Sequence, residues 1–328
     1  MELRTKVHIP ETGSRISYAD PVMFIGSCFA SEIGSKMSEG CMPVMINPAG
    51  TVYNPLSVAD TLRIITQAKT FTPADLHCYK DTWLSFSHYT DFSSHDPLKV
   101  LEKINARTSE AAGFIKKSKF LFITFGTSWI FRLSQTGKPV SNCHKLPASF
   151  FTRELLTVDS ITQTWNEVLT DLKAQLPDMK IIFTVSPVRH WKDGAHGNQV
   201  SKSVLHLAIE NLLKHQSGPD YFPAYEIMMD ELRDYRFYDR DMIHPTETAV
   251  EFIWELFSGA WLEKESLKIW NEVSSINRAM HHRLTTDSPA GIKQFARVML
   301  DRISGLGSKY KHIDLTSQRS YFEKLLNS

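Results

Sequence analysis

Short, nearly unbroken apolar runs alternate along this chain with longer stretches in which apolar residues recur every third or fourth position. The runs at 22–25, 44–46, 120–125 and 181–185 predict strands buried on both faces. The periodic stretches predict helices over 29–38, 55–67, 98–115, 160–175, 199–213 and 246–262. Continuous apolar strands separated by helices imply an α/β fold built on a parallel sheet covered on both faces. After about residue 262 the alternation stops, and helical patterns follow with a polar break near 285–289. The chain therefore divides into an α/β part, 1–262, and a helical C-terminal extension, 263–328.

In open parallel sheets ligands bind just past the carboxyl ends of the strands. Those exits read "GSCFA" from Gly26, "NPAGTVYNP" from Asn47, "GTSW" from Gly126 and "SPVRHWKDGAHGN" from Ser186. A late segment, "YDRDMIHP" from Tyr238, leads into another helix.

At the first exit, Ser27 is a good N-cap and Cys28 a small residue that packs well in a core, which is a complete structural account. The same position also suits a nucleophile. The first turn of a helix offers free amides that hold an oxyanion and lower the pKa of a thiol. Cys28 fits that role, and Ser27 fits it if a base lies near. Asp241 and His244, three residues apart before a helix, offer a base and its orienting carboxylate. A second Asp-x-x-His, Asp193 and His196, lies in a glycine-flanked loop, and His190 is a third candidate base. Gly50 offers an amide, and Asn47 or Asn54 a side-chain donor, to an oxyanion. Gly126 permits close backbone approach, with Thr127 or Ser128 as hydroxyl donors. Arg189 is placed to clamp a carboxylate or phosphate. Each of these also has an ordinary reading as a turn, a cap or a surface ion pair.

Composition narrows the class. The chain has 328 residues, 42% hydrophobic and 22% charged, with a formal net charge of +1. These values fit a globular protein and give no broad field for nucleic acid or an anionic membrane. No run has the length of a membrane span and the N-terminus lacks the apolar core of a signal peptide. The four cysteines are too few and too scattered for a disulfide scaffold, and no CxxC pair suggests zinc. The expectation is a reduced, cytoplasmic protein. The turn at Gly26 lacks the glycine spacing and lysine of a P-loop, which counts against nucleotide binding.

The residues "FIGSCFA" resemble the motif that names the GSCFA family, an SGNH/GDSL-like group described mainly in bacteria. The likeness continues through "NPAGTVYNPLS", "FGTSWIF", "SPVRH" and "YFPAYEIMMDELRDYRFYDRDMIHP", over roughly 5–262. It implies a three-layer, flavodoxin-like α/β fold and acyl-transfer chemistry. Laid over the SGNH blocks, Ser27 falls on the first-block aspartate and Cys28 on the nucleophilic serine. Gly50 falls near the second-block glycine, Gly126 and Ser128 on the third-block glycine and asparagine, and Asp241 and His244 on the final pair. The chain departs from that pattern in having cysteine for the nucleophilic serine and serine for the oxyanion asparagine.

These readings lead to an esterase or O-acyltransferase acting on a small, carbohydrate-like substrate. Cys28 or Ser27 is the nucleophile, and Asp241 and His244 form the acid–base pair. Gly50, Asn47, Gly126, Ser128, Arg189 and His190 complete the oxyanion and substrate set. No metal or redox cofactor is expected, and a transferase would draw on an acyl-thioester donor. The rival is a non-catalytic ligand-binding or assembly protein that retains the fold.

Overall fold

The computed structural model describes residues 5–215, 218–281 and 288–327. The first apolar run becomes β1 (Val22–Gly26), followed by α1 (Cys28–Glu39), β2 (Val44–Ile46) and α2 (Pro55–Thr66). A hairpin of β3 (His77–Tyr79) and β4 (Thr82–Leu84) precedes α3 (Pro97–Ile115) and β5 (Phe120–Phe125). Next come β6 (Trp129–Leu133), β7 (Pro139–Val140), β8 (Phe151–Leu155) and α4 (Val158–Gln175). Then follow β9 (Lys180–Val185), α5 (Gly194–His215), β10 (Asp220–Tyr221) and the short α6 (Ala224–Glu226). The chain closes with α7 (Glu247–Trp261), α8 (Lys264–His281), α9 (Pro289–Lys309) and α10 (Thr316–Asn327).

Five strands form a parallel sheet in the order β2-β1-β5-β9-β10. The four expected runs are all in it. β10 joins through only two residue pairs, too short to give a hydrophobic pattern. The antiparallel sheet of β6, β7 and β8 was not expected from the sequence. Its strands are half exposed and mix charged with aromatic residues, as "WIFRL" and "FTREL" do.

Alternate residues of β1 enter different apolar clusters, as the period-two pleat requires. Val22 and Phe24 join a cluster with α1 and α7, while Met23 and Ile25 join one with α2, α4 and α5. The sheet is thus covered by helices on both faces. The first cluster continues into the extension, through Trp270, Ile276, Met299, Ile303 and Phe322.

The extension grips the carboxyl end of α1. Trp270 Nε1 donates to Lys36 O at 2.7 Å, and Asn277 Nδ2 donates to Glu39 O. Tyr18 Oη donates to Gly40 O. These bonds satisfy carbonyls that a helix end leaves without internal partners.

Candidate active site

The exits of β1, β5 and β9 are laced together by backbone hydrogen bonds. Gly26 has φ +144°, and a Cβ there would come 2.1 Å from Thr124 O, so only glycine fits this crossing of β1 past β5. Ser27 N donates to Thr124 O at 3.2 Å, and Val52 N to Gly26 O at 3.0 Å. Tyr53 O accepts from both Gly126 N and Thr127 N, at 2.7 and 3.1 Å.

Above this floor lies a cavity of about 610 Å³. Ser27, Cys28, Gly126, Arg189, His190 and His244 all line it. The structure therefore brings the GSCFA turn and the Asp-x-x-His segment to one cleft, at the strand ends where the topology places ligand sites. Among the described residues no cluster of three or more His, Cys, Asp or Glu is placed to hold a metal ion.

Cys28 opens α1, with Ser27 as its N-cap in extended conformation. The Ser27 side chain makes no cap bond, and its Oγ is buried with no hydrogen-bond partner. The expected capping hydroxyl is therefore free, on the cavity wall beside Gly126. Cys28 is half-buried, and burial pushes its thiol above the ordinary range. The amides of Phe29 and of Cys28 itself pull the other way, Glu32 raises it further, and Lys202 lowers it. Desolvation outweighs the helix terminus here, so the resting form at neutral pH is the thiol.

His244 Nδ1 lies 2.6 Å from Asp241 Oδ2 at the exposed rim of the cleft. Asp241 Oδ1 accepts from the backbone N–H of both Ile243 and His244, at 2.9 Å each. These bonds, with the imidazole, hold the Asp241 carboxyl down at about 2. The second Asp-x-x-His is not a pair. Asp193 Oδ1 meets Arg153 Nη2 at 2.5 Å, while His196 stands exposed in the first turn of α5. His190 lines the cleft with Nε2 3.9 Å from Asp193 Oδ2, and burial depresses its pKa.

Three expected oxyanion residues serve the fold instead. Asn47 Oδ1 accepts from Gly26 N at 2.8 Å and its Nδ2 donates to Ser31 Oγ at 2.8 Å. The Gly50 amide donates to Asn47 O at 2.8 Å, and a Cβ on Gly50 would meet Tyr89 Cβ at 2.1 Å. Ser128 is fully buried, its Oγ bonded to Ser201 O and Oγ at 3.2 and 3.0 Å. None of the three lines the cavity. Asn54 does, as N-cap of α2, with one Nδ2 hydrogen bonded to Ser57 Oγ at 3.0 Å and the other uncommitted.

Lys202 was not anticipated. It is 1% exposed, and its Nζ bridges Gly126 O at 2.8 Å and Ser186 O at 2.7 Å, tying the ends of β5 and β9 together. Burial pushes its pKa down to about 7, countered by Cys28 and reinforced by Arg189. The clue lies in the periodicity of α5. Its buried stripe of Leu205, Ala208, Ile209 and Leu212, carried back one turn, lands on Ser201 and Lys202, and a second turn on Asn198. The "DGAHGN" segment looks like a loop, and that reading leaves out Asn198, while the helix expected over 199–213 already holds Ser201 and Lys202.

The site is thus a strand-end cleft of a parallel α/β protein, holding a thiol, a hydroxyl and a carboxylate–imidazole pair. The GSCFA family model matches residues 21–257, well over half of the chain, and the chain belongs to the GSCFA family. A comparison with curated proteins returns no match. Among the described residues no helix is long and apolar enough to cross a membrane.

Proposed function

We propose that this chain catalyses acyl transfer, as an esterase or an O-acyltransferase on a small, carbohydrate-like substrate. The observation that carries the reading is the common cavity: Cys28, Ser27 and the Asp241-oriented His244 face one space. The sheet order, equivalent to 2-1-3-4-5 among its five strands, supports a flavodoxin-like, three-layer fold of the SGNH/GDSL type.

In this mechanism His244 takes the proton of Cys28 Sγ as the sulfur attacks the ester carbonyl. The amides of the first turn of α1, with the uncommitted Asn54 N–H, receive the oxyanion. The tetrahedral intermediate collapses as His244 returns the proton to the leaving alcohol. Water or an acceptor hydroxyl then attacks the thioester by the reverse proton path. A protonated thiol at rest makes the base necessary. Ser27 attacks instead if the register shifts by one residue. No metal or redox cofactor is assigned, and a transferase would take its acyl group from a thioester donor.

A second reading, ligand binding without catalysis, draws on one observation: Asn47, Gly50 and Ser128 spend their polar groups inside the fold. Hydrolysis of activated esters by the wild type and by Cys28→Ala, Ser27→Ala and His244→Ala separates the two. Loss with His244→Ala and one nucleophile variant supports catalysis, and turnover undiminished in all three overturns it.

A further inference from the structure

The charges lining the cleft are all of one sign. Lys145, Arg153, Arg189 and Lys192 line it, and among the described residues no aspartate or glutamate does. Among the described residues only Arg153 of these four has a carboxylate partner, Asp193. Elsewhere in the fold Arg63, Arg107, Arg132 and Lys36 each meet a carboxylate. In a chain of net charge +1, a pocket with three cations lacking carboxylate partners among the described residues is a local concentration of positive potential.

Arg189 is the focus of that potential. Its guanidinium lies 4.8 Å from the Trp191 ring centroid, and its Nε is buried with no hydrogen-bond partner. A buried guanidinium donor left unmatched is costly, and the Nε–H and one Nη–H form a fork that matches two oxygens of an oxyanion. Lys192, over the Phe131 ring at 5.4 Å, adds charge on the same cleft. Trp129, Phe131 and Trp191 supply apolar ring faces around these cations.

We infer that the cleft binds an anionic substrate: an acyl compound whose carboxylate or phosphate docks on Arg189, with its apolar portion against the neighbouring aromatic rings. As a statement about the substrate this rests on the acyl-transfer reading, whereas the anion subsite itself stands apart from catalysis.

The test uses probes with no ester to cleave. Benzoate and benzamide have nearly the same shape and differ in charge. Calorimetric titration at low ionic strength should show benzoate binding about tenfold tighter or more, as expected for an anion on a charged donor. The preference should shrink as salt is added and collapse in Arg189→Met, with Arg189→Lys intermediate because it keeps charge but loses the fork. Lys145→Met/Lys192→Met, at two exposed positions, carries the same test should Arg189→Met fold poorly. Phenyl phosphate binding in place of benzoate supports the same subsite with phosphate as its headgroup. Equal binding of benzoate and benzamide, with no phenyl phosphate binding, overturns the inference. So does a benzoate preference that survives in both variants. A protein that binds these anions but hydrolyses no ester would refute the catalytic reading and leave this one intact.

Discussion

Asp241 holds His244 at both ends of its residue: one carboxylate oxygen accepts the backbone N–H, and the other meets the ring Nδ1 at 2.6 Å. The ring nitrogen left over, Nε2, belongs to a side chain that lines the cleft of Cys28. Asp241→Asn keeps an oxygen for the two backbone bonds but presents an amide that favours the wrong imidazole tautomer. Ester turnover should fall by about 10²–10⁴-fold with little change in melting temperature. Asp241→Ala should also loosen the turn. Steady-state kinetics on both variants checks this, and full activity in Asp241→Asn removes the pair from the mechanism.

Burial raises the Cys28 thiol, so Cys28 should not behave as a preformed thiolate. Alkylation by iodoacetamide at pH 7 should modify exposed Cys78 first. Cys143, pushed up to about 11 by its own burial, should react slowly, and Cys28 should gain rate as pH rises past the ordinary thiol range. Peptide mapping by mass spectrometry reads the order. Cys28 outpacing Cys78 at neutral pH would show that the helix terminus outweighs desolvation.

Lys202 links the strand ends to solution pH. Its folded value of about 7 lies below the unfolded value of 10.5. Between the two, the unfolded chain holds a proton that the folded one lacks, so stability rises with pH through that window. Below it both states are protonated and the dependence vanishes. From pH 7 to 8, before most thiols ionise in the unfolded chain, the slope from this group should approach roughly 1 kcal/mol per pH unit. Urea unfolding should show that slope in the wild type and its loss in Lys202→Met. The variant should also be less stable by about 1–3 kcal/mol, because Gly126 O and Ser186 O lose their donor. An unchanged slope would mean that Lys202 stays charged in its burial.

Gly26→Ala tests the crossing on which the cleft is built. The added methyl meets Thr124 O at 2.1 Å on a backbone that L-residues avoid. A loss of about 3 kcal/mol or more is expected, measured by chemical denaturation. A mild loss would show that β1 and β5 can part without unfolding.

The sheet was legible because its strands carry their own signature: "VMFI", "FLFITF" and "IIFTV" have no polar face to alternate with. β10 and the sheet of β6, β7 and β8 were not, because short or half-exposed strands take their pairing from partners distant in sequence. Within the site, Cys28, Ser27, Gly126, Arg189 and His190 could be gathered from the strand-end rule, and His244 from its spacing to Asp241 before a helix. Asn47, Gly50 and Ser128 could not be sorted from cleft donors, since hydrogen-bond direction is decided by backbone turns that residue identity does not reveal. Asn47 itself has φ +40°, which aims its amide back at Gly26. Lys202 was hidden by convention: a lysine in a helix is read as solvated, although its spacing of three from Leu205 puts it on the buried stripe.

Helix α1 has the nucleophile candidate at one end and the extension's hydrogen bonds at the other. Twelve residues make a rod about 18 Å long. Whatever tilts its far end, where Trp270 and Asn277 take hold, swings Cys28 against the cleft floor. The family match ends at residue 257, yet the helix that opens with its signature cysteine is bonded at the far end by residues beyond that limit. The last quarter of the chain is thus the footing for one end of a rod whose other end is a residue more than two hundred positions earlier.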